Sequence, residues 1–223
     1  MKLLQLIIYT LIFMVSKSVY AEEDKYVKLA NKMTLTNETD SWIKVSVPLN
    51  LLAHPRLEQI RNNRPSTIEE AFNPEYVEGL KVKLYLCFSN EFKKKVLRTS
   101  KLIDSQFYQY YSAEINYETI KLERTTMYVN FMFPSAIADR DGFGGNYINP
   151  VGYAIEVYLE GVPAEFSNSI MFENYRDEAT LLKFKQQAQE KSNRNKDILV
   201  PAHHVFQSYY PKGSYLKPSI SGN

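Results

Sequence analysis

Apolar and polar residues alternate with a period of two along much of the chain. Between Ser41 and Leu49, Ile43, Val45 and Val47 oppose Trp42, Lys44 and Ser46, and Pro48 is expected to close that strand. Between Leu80 and Phe88, Leu80, Val82, Leu84, Leu86 and Phe88 oppose Lys81, Lys83, Tyr85 and Cys87, which predicts one core face and one partly solvated face. Gln106–Ile120 and Arg124–Phe133 are long, rich in Tyr, Phe, Thr and Val, and separated by a short polar break, as adjacent antiparallel strands require. Val151, Tyr153, Ile155, Val157 and Leu159 oppose Ala154, Glu156, Tyr158 and Glu160. Shorter strands are expected near Met33–Thr36, Ser169–Phe172 and Ile198–Val200. Six to eight strands joined by turns predict a mainly β fold, an immunoglobulin-like antiparallel β-sandwich.

Helical spacing is confined to the connections. Ser66 precedes Glu69 by three residues in "STIEEAF", the spacing of a capping box. "SNEFKKKVLRTSKL" places Phe92, Val96 and Leu97 on one side, read as the packed side, with Lys93–Lys95 on a solvated face. In "RDEATLLKFKQQAQEKSNR" Asp177 can cap a C-terminal helix whose apolar side carries Leu181, Phe184 and Ala188. Beyond Pro201 the chain turns polar and is broken by Pro, Gly and Ser, so residues 203–223 are expected to form a flexible tail. Residues 22–28 are expected to be mobile as well.

The first 21 residues change the setting. Lys2 is followed by an apolar run from Leu3 to Val15 and by Val19-Tyr20-Ala21, the pattern of a secretory signal peptide cleaved after Ala21. The protein is therefore expected to be secreted, to the periplasm or the cell surface, with no membrane span after cleavage. Residues 22–202 are then one sandwich domain with helical insertions. Of 27 Lys and Arg, Lys2 and Lys17 leave with the signal, so 25 remain against 25 Asp and Glu. A neutral chain gives no general affinity for nucleic acid. Cys87 is the only cysteine, so no intrachain disulfide can staple the fold, and its apolar strand makes it a buried side chain.

Templates for chemistry are met poorly. "ADRDGFGGNYINP" carries Asp139 and Asp141, but a calcium loop of the EF-hand type starting at Asp139 would place Gly at its fourth position and Pro150 at its twelfth. The glycines lead towards another strand instead of a helix, against a phosphate cradle. Asp139–Asn149 is read as a surface strand-to-strand loop, ordered by Asp and Asn side chains without a metal. His203 and His204 point to opposite faces if they lie in a strand, and with His54 they offer no zinc pattern. Glu156 and Glu160, or Glu114 and Glu118, stand about 13 Å apart along a strand, too far for a glycosidase pair, while pairing of carboxylates across strands stays open in the sequence. No catalytic residue, metal ligand or cofactor is assigned, and the chain is read as a non-enzyme.

Tyrosine is the compositional anomaly, with 17 in the chain. Tyr108, Tyr110, Tyr158 and Trp42 are the candidate interaction surface, because such side chains supply rigid amphipathic contact area to proteins or a stacking platform for sugar rings. The expected function is a surface or envelope protein acting through protein–protein contacts, with pilus-associated proteins or a second copy of itself as partners. A carbohydrate-binding module built on the same tyrosines is the alternative, with a glycan as partner.

The signal peptide together with "SWIKVSVPL", "GLKVKLYLCF", "FYQYYSAEI", "VNFMFPSAIADRD" and "NPVGYAIEVYLEG" resembles the small secreted, pilus-like proteins encoded beside type IV pilus assembly genes in some mucin-dwelling Gram-negative bacteria. The resemblance spans about Trp42 to Pro201. It implies an immunoglobulin-like sandwich with a structural or adhesive role, and it carries no catalytic residues. The chain departs from ordinary type IV pilins in lacking the prepilin cleavage glycine and the long apolar N-terminal helix, which argues against a polymerising subunit.

Overall fold

A computed structural model describes residues 24–62, 64–97, 101–143, 148–172, 177–210 and 212–216. The expected signal peptide and residues 217–223 lie outside them. Two antiparallel sheets pack face to face as a β-sandwich. In the first, β3 (Trp42–Leu51) is central. It is flanked on one side by β6 (Met127–Pro134), with β10 (Val200–Pro201) beyond it. Along its other side lie β1 (Val27–Leu29) and β2 (Thr34–Thr39). In the second sheet β4 (Tyr76–Ser89) lies between β5 (Tyr108–Lys121) and β7 (Gly152–Leu159). Its edges are β11 (Ser214–Leu216) on β5, and β8 (Val162–Ala164) and β9 (Ile170–Phe172) on β7.

The alternating residues meet between the sheets. Ile43, Val45, Val47 and Leu49 of β3 face Val82, Leu84, Leu86 and Phe88 of β4 in one continuous core. At one end of it Phe88, Tyr111, Phe133 and Phe143 form an aromatic cluster, with Phe88 and Phe143 stacked at 4.5 Å and Tyr111 edge-on to Phe133 at 4.9 Å. Pro48 does not end β3, which continues to Leu51. Residue 48 lies between the parts of β3 paired with β2 and with β1, and its carbonyl accepts from Ala30 N–H at 2.9 Å. In an extended strand N–H and C=O of one residue point the same way, so the missing donor faces this gap and leaves the β6 pairing intact.

Among the described residues four α-helices fill connections: α1 (Leu57–Asn62), α2 (Glu91–Leu97), α3 (Ser135–Asp141) and α4 (Glu178–Lys191). Asp177 caps α4 by accepting from Thr180 N–H at 2.8 Å, and Phe184 and Ala188 are buried as the spacing predicts. They cover the outer side of the second sheet, closing a second apolar cluster with Tyr85, Cys87, Tyr110 and Ala154. That side is thus solvated only in part, and burial pushes the Cys87 thiol up to about 12.

Three expectations are corrected by tertiary contacts. The stretch 66–72 makes cap-type bonds, Glu70 accepting from Ser66 N–H at 2.9 Å, yet stays in turns, because Ile68 is 89% exposed and finds no surface to bury. Residues 24–28 are not a mobile opening: Val27 is fully buried in β1, and Asp24 accepts from Ser167 N–H at 2.9 Å. Residues 203–216, expected as a tail, make two one-turn 3₁₀ helices and β11, and Leu216 is buried against the core. Residue 211 lies outside the described set.

Candidate interaction surfaces

The four aromatic residues singled out in the sequence do not share a surface. Tyr110 is only 2% exposed. It lies beneath α4 beside Phe184, with its hydroxyl donating to Gln187 Oε1 at 3.1 Å. Tyr108 is half-buried at the other end of β4 from Tyr158: it pairs with Ser89, while Tyr158 pairs with Lys81. Eight residues of strand separate them by about 27 Å. Trp42 is in the other sheet, paired with Pro134. A flat row of sugar-stacking rings containing Tyr110 is therefore absent, because α4 occupies the face that the row would need.

Glu156 and Glu160 are engaged in separate networks. Glu156 accepts from Gln189 Nε2 at 2.7 Å and from the hydroxyls of Tyr85 and Tyr158 at 3.3 and 3.4 Å, with Lys185 Nζ at 3.0 Å. This hub fastens α4 to the sheet. Glu160 belongs to the two-residue turn Glu160-Gly161, whose φ values of +52° and +79° are the left-handed pair a tight hairpin needs. Its carboxylate meets Arg56 Nε at 2.9 Å and lies 3.6 Å from His54 Nε2. His54 accepts from Arg56 N–H through Nδ1 at 3.1 Å and stacks on Phe72 at 4.3 Å, so it serves as a packed spacer.

The stretch read as a surface loop is partly helical. Asp139 and Asp141 lie in α3, bracketed by Pro134 and by Gly142, whose φ of +76° ends the helix in the left-handed region. Asp141 is buried and ion-paired to Arg140 at 2.7 Å, whereas Asp139 is exposed. Residues 144–147 of that stretch lie outside the described set. Asp139 lines a polar cleft of about 480 Å³ with Asn37, Glu38, Asp40 and Ser135. Among the described residues no group of three or more His, Cys, Asp and Glu is placed to hold a metal ion.

One wall of this cleft is β2, which pairs with β3 alone and leaves its other edge unpaired among the described residues. With six residues and neither Pro nor Lys, it is the longest edge strand described; β8 has three residues with Pro163 inside, and β10 has two, ending in Pro201. A register irregularity between Asn37 and Thr39 limits the regular part to Thr34–Asn37. Glu38 accepts from Lys44 Nζ at 2.6 Å and from the Tyr209 hydroxyl. The Lys44 hydrogen bond, with help from Tyr209, holds the Glu38 carboxyl below its ordinary value and keeps it ionised beside the open edge.

His203 and His204 occupy a 3₁₀ turn, not a strand, with rings edge to face at 4.4 Å. Burial, with the neighbouring His204 second, pushes His203 down to about 4, and burial lowers His54 as well. A histidine that binds its proton less readily when folded contributes stability above its ordinary value of 6.5 that is lost as pH falls. Glu38, lowered from 4.5, has the same sign at lower pH. The urea midpoint is therefore expected to fall as pH drops below 6.5 towards about 4, less steeply in His203→Gln than in the parent. A midpoint that rises on acidification would contradict these assignments.

Compared with family models, with curated proteins and with solved structures, the chain matches none.

Proposed function

We propose that the chain is an exported, non-enzymatic protein of the cell envelope or surface, associated with a pilus or secretion apparatus and acting through protein–protein contacts. The observation that carries this reading is the open edge of β2. The regular part of β2, Thr34–Asn37, offers the backbone N–H and C=O groups of alternate residues on a side with no partner strand among the described residues. Such an edge is a template for an added strand, in which main-chain hydrogen bonds give affinity and neighbouring side chains give selectivity. Here selectivity comes from the cleft bearing Glu38, Asp40 and Asp139, which favours a partner strand flanked by basic residues. A second copy of the chain is one such partner.

The experiment compares capture of envelope proteins by the parent and by a Thr34→Lys/Thr36→Lys variant. Thr34 and Thr36 are exposed, so lysines there leave the core intact while blunting the edge. The parent is expected to retain a defined partner, or to self-associate in size-exclusion chromatography, and the variant to lose at least tenfold in that affinity, about 1.4 kcal/mol. Equal capture by both, or substrate turnover with no captured protein, would overturn the reading.

A further inference from the structure

Helix α2 is amphipathic in the reverse of the expected sense. Its start and its body-facing side are polar: Asn90 Oδ1 accepts from Lys93 N–H at 2.8 Å, and Lys94 Nζ lies 3.1 Å from Glu91 and 3.2 Å from Asp104. Phe92, Val96 and Leu97, predicted to pack inward, are instead 53–63% exposed, and Ile103, next in the chain to the Asp104 that pairs with Lys94, is 67% exposed. No side chain of α2 is buried. The reason lies in the neighbours: the 3₁₀ turn beginning at Asp104 presents its carboxylate to Lys94, which turns the helix by its polar side onto the body.

Phe92, Val96 and Leu97 on one short helix, with Ile103 a few residues further along the chain, are large apolar side chains held in water, a surface that awaits cover. What surrounds them narrows the occupant. Lys93 and Lys95 are exposed alongside. Within residues 91–97 and 101–104 four lysines stand against only Glu91 and Asp104, in a chain that is otherwise balanced in charge. Apolar side chains ringed by lysines match the boundary between lipid headgroups and acyl chains, where long lysine stems lie along the apolar layer and their charges reach phosphate. An apolar protein groove would bury the lysine charges without partners. An anionic lipid surface satisfies both groups at once.

We propose that α2 and Ile103 form a peripheral anchor that seats this end of the sandwich on an anionic lipid surface. Phe92, Val96, Leu97 and Ile103 enter the interface, and Lys93 and Lys95 lie at the lipid phosphates. The β2 edge is not part of this contact, so the anchor stands independently of the protein-binding reading.

Flotation with vesicles tests it. The first strand described is β1 at Val27–Leu29, and the chain from Glu22, which keeps it, is used so that the expected signal segment cannot itself bind the vesicles. Vesicles of equimolar phosphatidylcholine and phosphatidylglycerol are expected to retain the protein, vesicles of phosphatidylcholine alone much less, and molar salt to reduce retention. Phe92→Ser should weaken partition roughly tenfold, as loss of one inserted aromatic side chain requires. Lys93→Glu with Lys95→Glu should remove the preference for anionic vesicles. Both variants should melt like the parent because the replaced side chains are exposed, and Tyr215→Ser, exposed elsewhere, should bind like the parent. Retention by neither vesicle, equal retention by both, or full retention of Phe92→Ser overturns the proposal.

Discussion

Replacing Phe133 by alanine is expected to remove about 3–5 kcal/mol of stability, the cost of truncating a large aromatic side chain in a closed core. Phe133 is 1% exposed and touches three other rings, with centroids 5.6 Å from Phe88, 4.9 Å from Tyr111 and 5.9 Å from Phe143. These residues come from β6, β4, β5 and the segment after α3, so one truncation loosens both sheets and the helical cap at that end. Part of the loss is the edge-to-face contact with Tyr111, worth about 0.5–1.5 kcal/mol beyond area burial. For a domain of this size the melting temperature should fall by about 10 °C. Phe133→Leu keeps most of the volume and should cost less than about 1.5 kcal/mol. A Phe133→Ala variant as stable as Phe133→Leu would show that this cluster is not closed against solvent.

Phe184→Ala is expected to cost about 3 kcal/mol by a different route. Phe184 is the main apolar contact of α4, packing on Tyr110 at 6.0 Å and Phe172 at 4.8 Å, and Ala188 is the only other buried side chain of the helix. Without it α4 is left with Ala188, the Tyr110–Gln187 hydrogen bond, the polar bonds to Glu156 and the Asp177 cap, which hold a helix weakly in water. Cys87 reports on this directly, because it is fully buried in the cluster beneath α4. In the parent a thiol reagent should react only through global unfolding; in Phe184→Ala it should react under native conditions, well before the urea transition. An unchanged midpoint with Cys87 still protected would mean that α4 does not depend on Phe184.

The core strands were legible because each places apolar side chains on one face at every second residue, and burial of that face fixes the register. Ile43, Val45 and Val47, and Val82, Leu84, Leu86 and Phe88, lie inward as the alternation requires. The edges were less legible: β1, β8 and β11 have three residues each, too short for a period to register. Helix α3 did have a signal, Pro134 before it and Gly142 after it, which the two nearby aspartates obscured. The candidate surfaces were hidden for a physical reason. Tyr110 stands out by composition but is covered by a helix more than sixty residues later in the chain, whereas Thr34–Thr39 is unremarkable in composition and matters because of what does not pair with it among the described residues. The orientation of α2 is not fixed by its sequence, because helical spacing places Phe92, Val96 and Leu97 together without saying which side meets the body.

The proposed addition of a partner strand at the β2 edge is measured most directly by hydrogen exchange at Thr34–Thr39, at the backbone atoms concerned. In the free protein the amides of β2 that face away from β3 should exchange rapidly, and those bonded to β3 slowly. Adding the captured partner, or raising the concentration if the chain pairs with itself, should slow the outward amides of Thr34–Asn37 and leave those of β8 and β10 unchanged. A bound partner that leaves the outward β2 amides exchanging as fast as in the free protein would contradict the account.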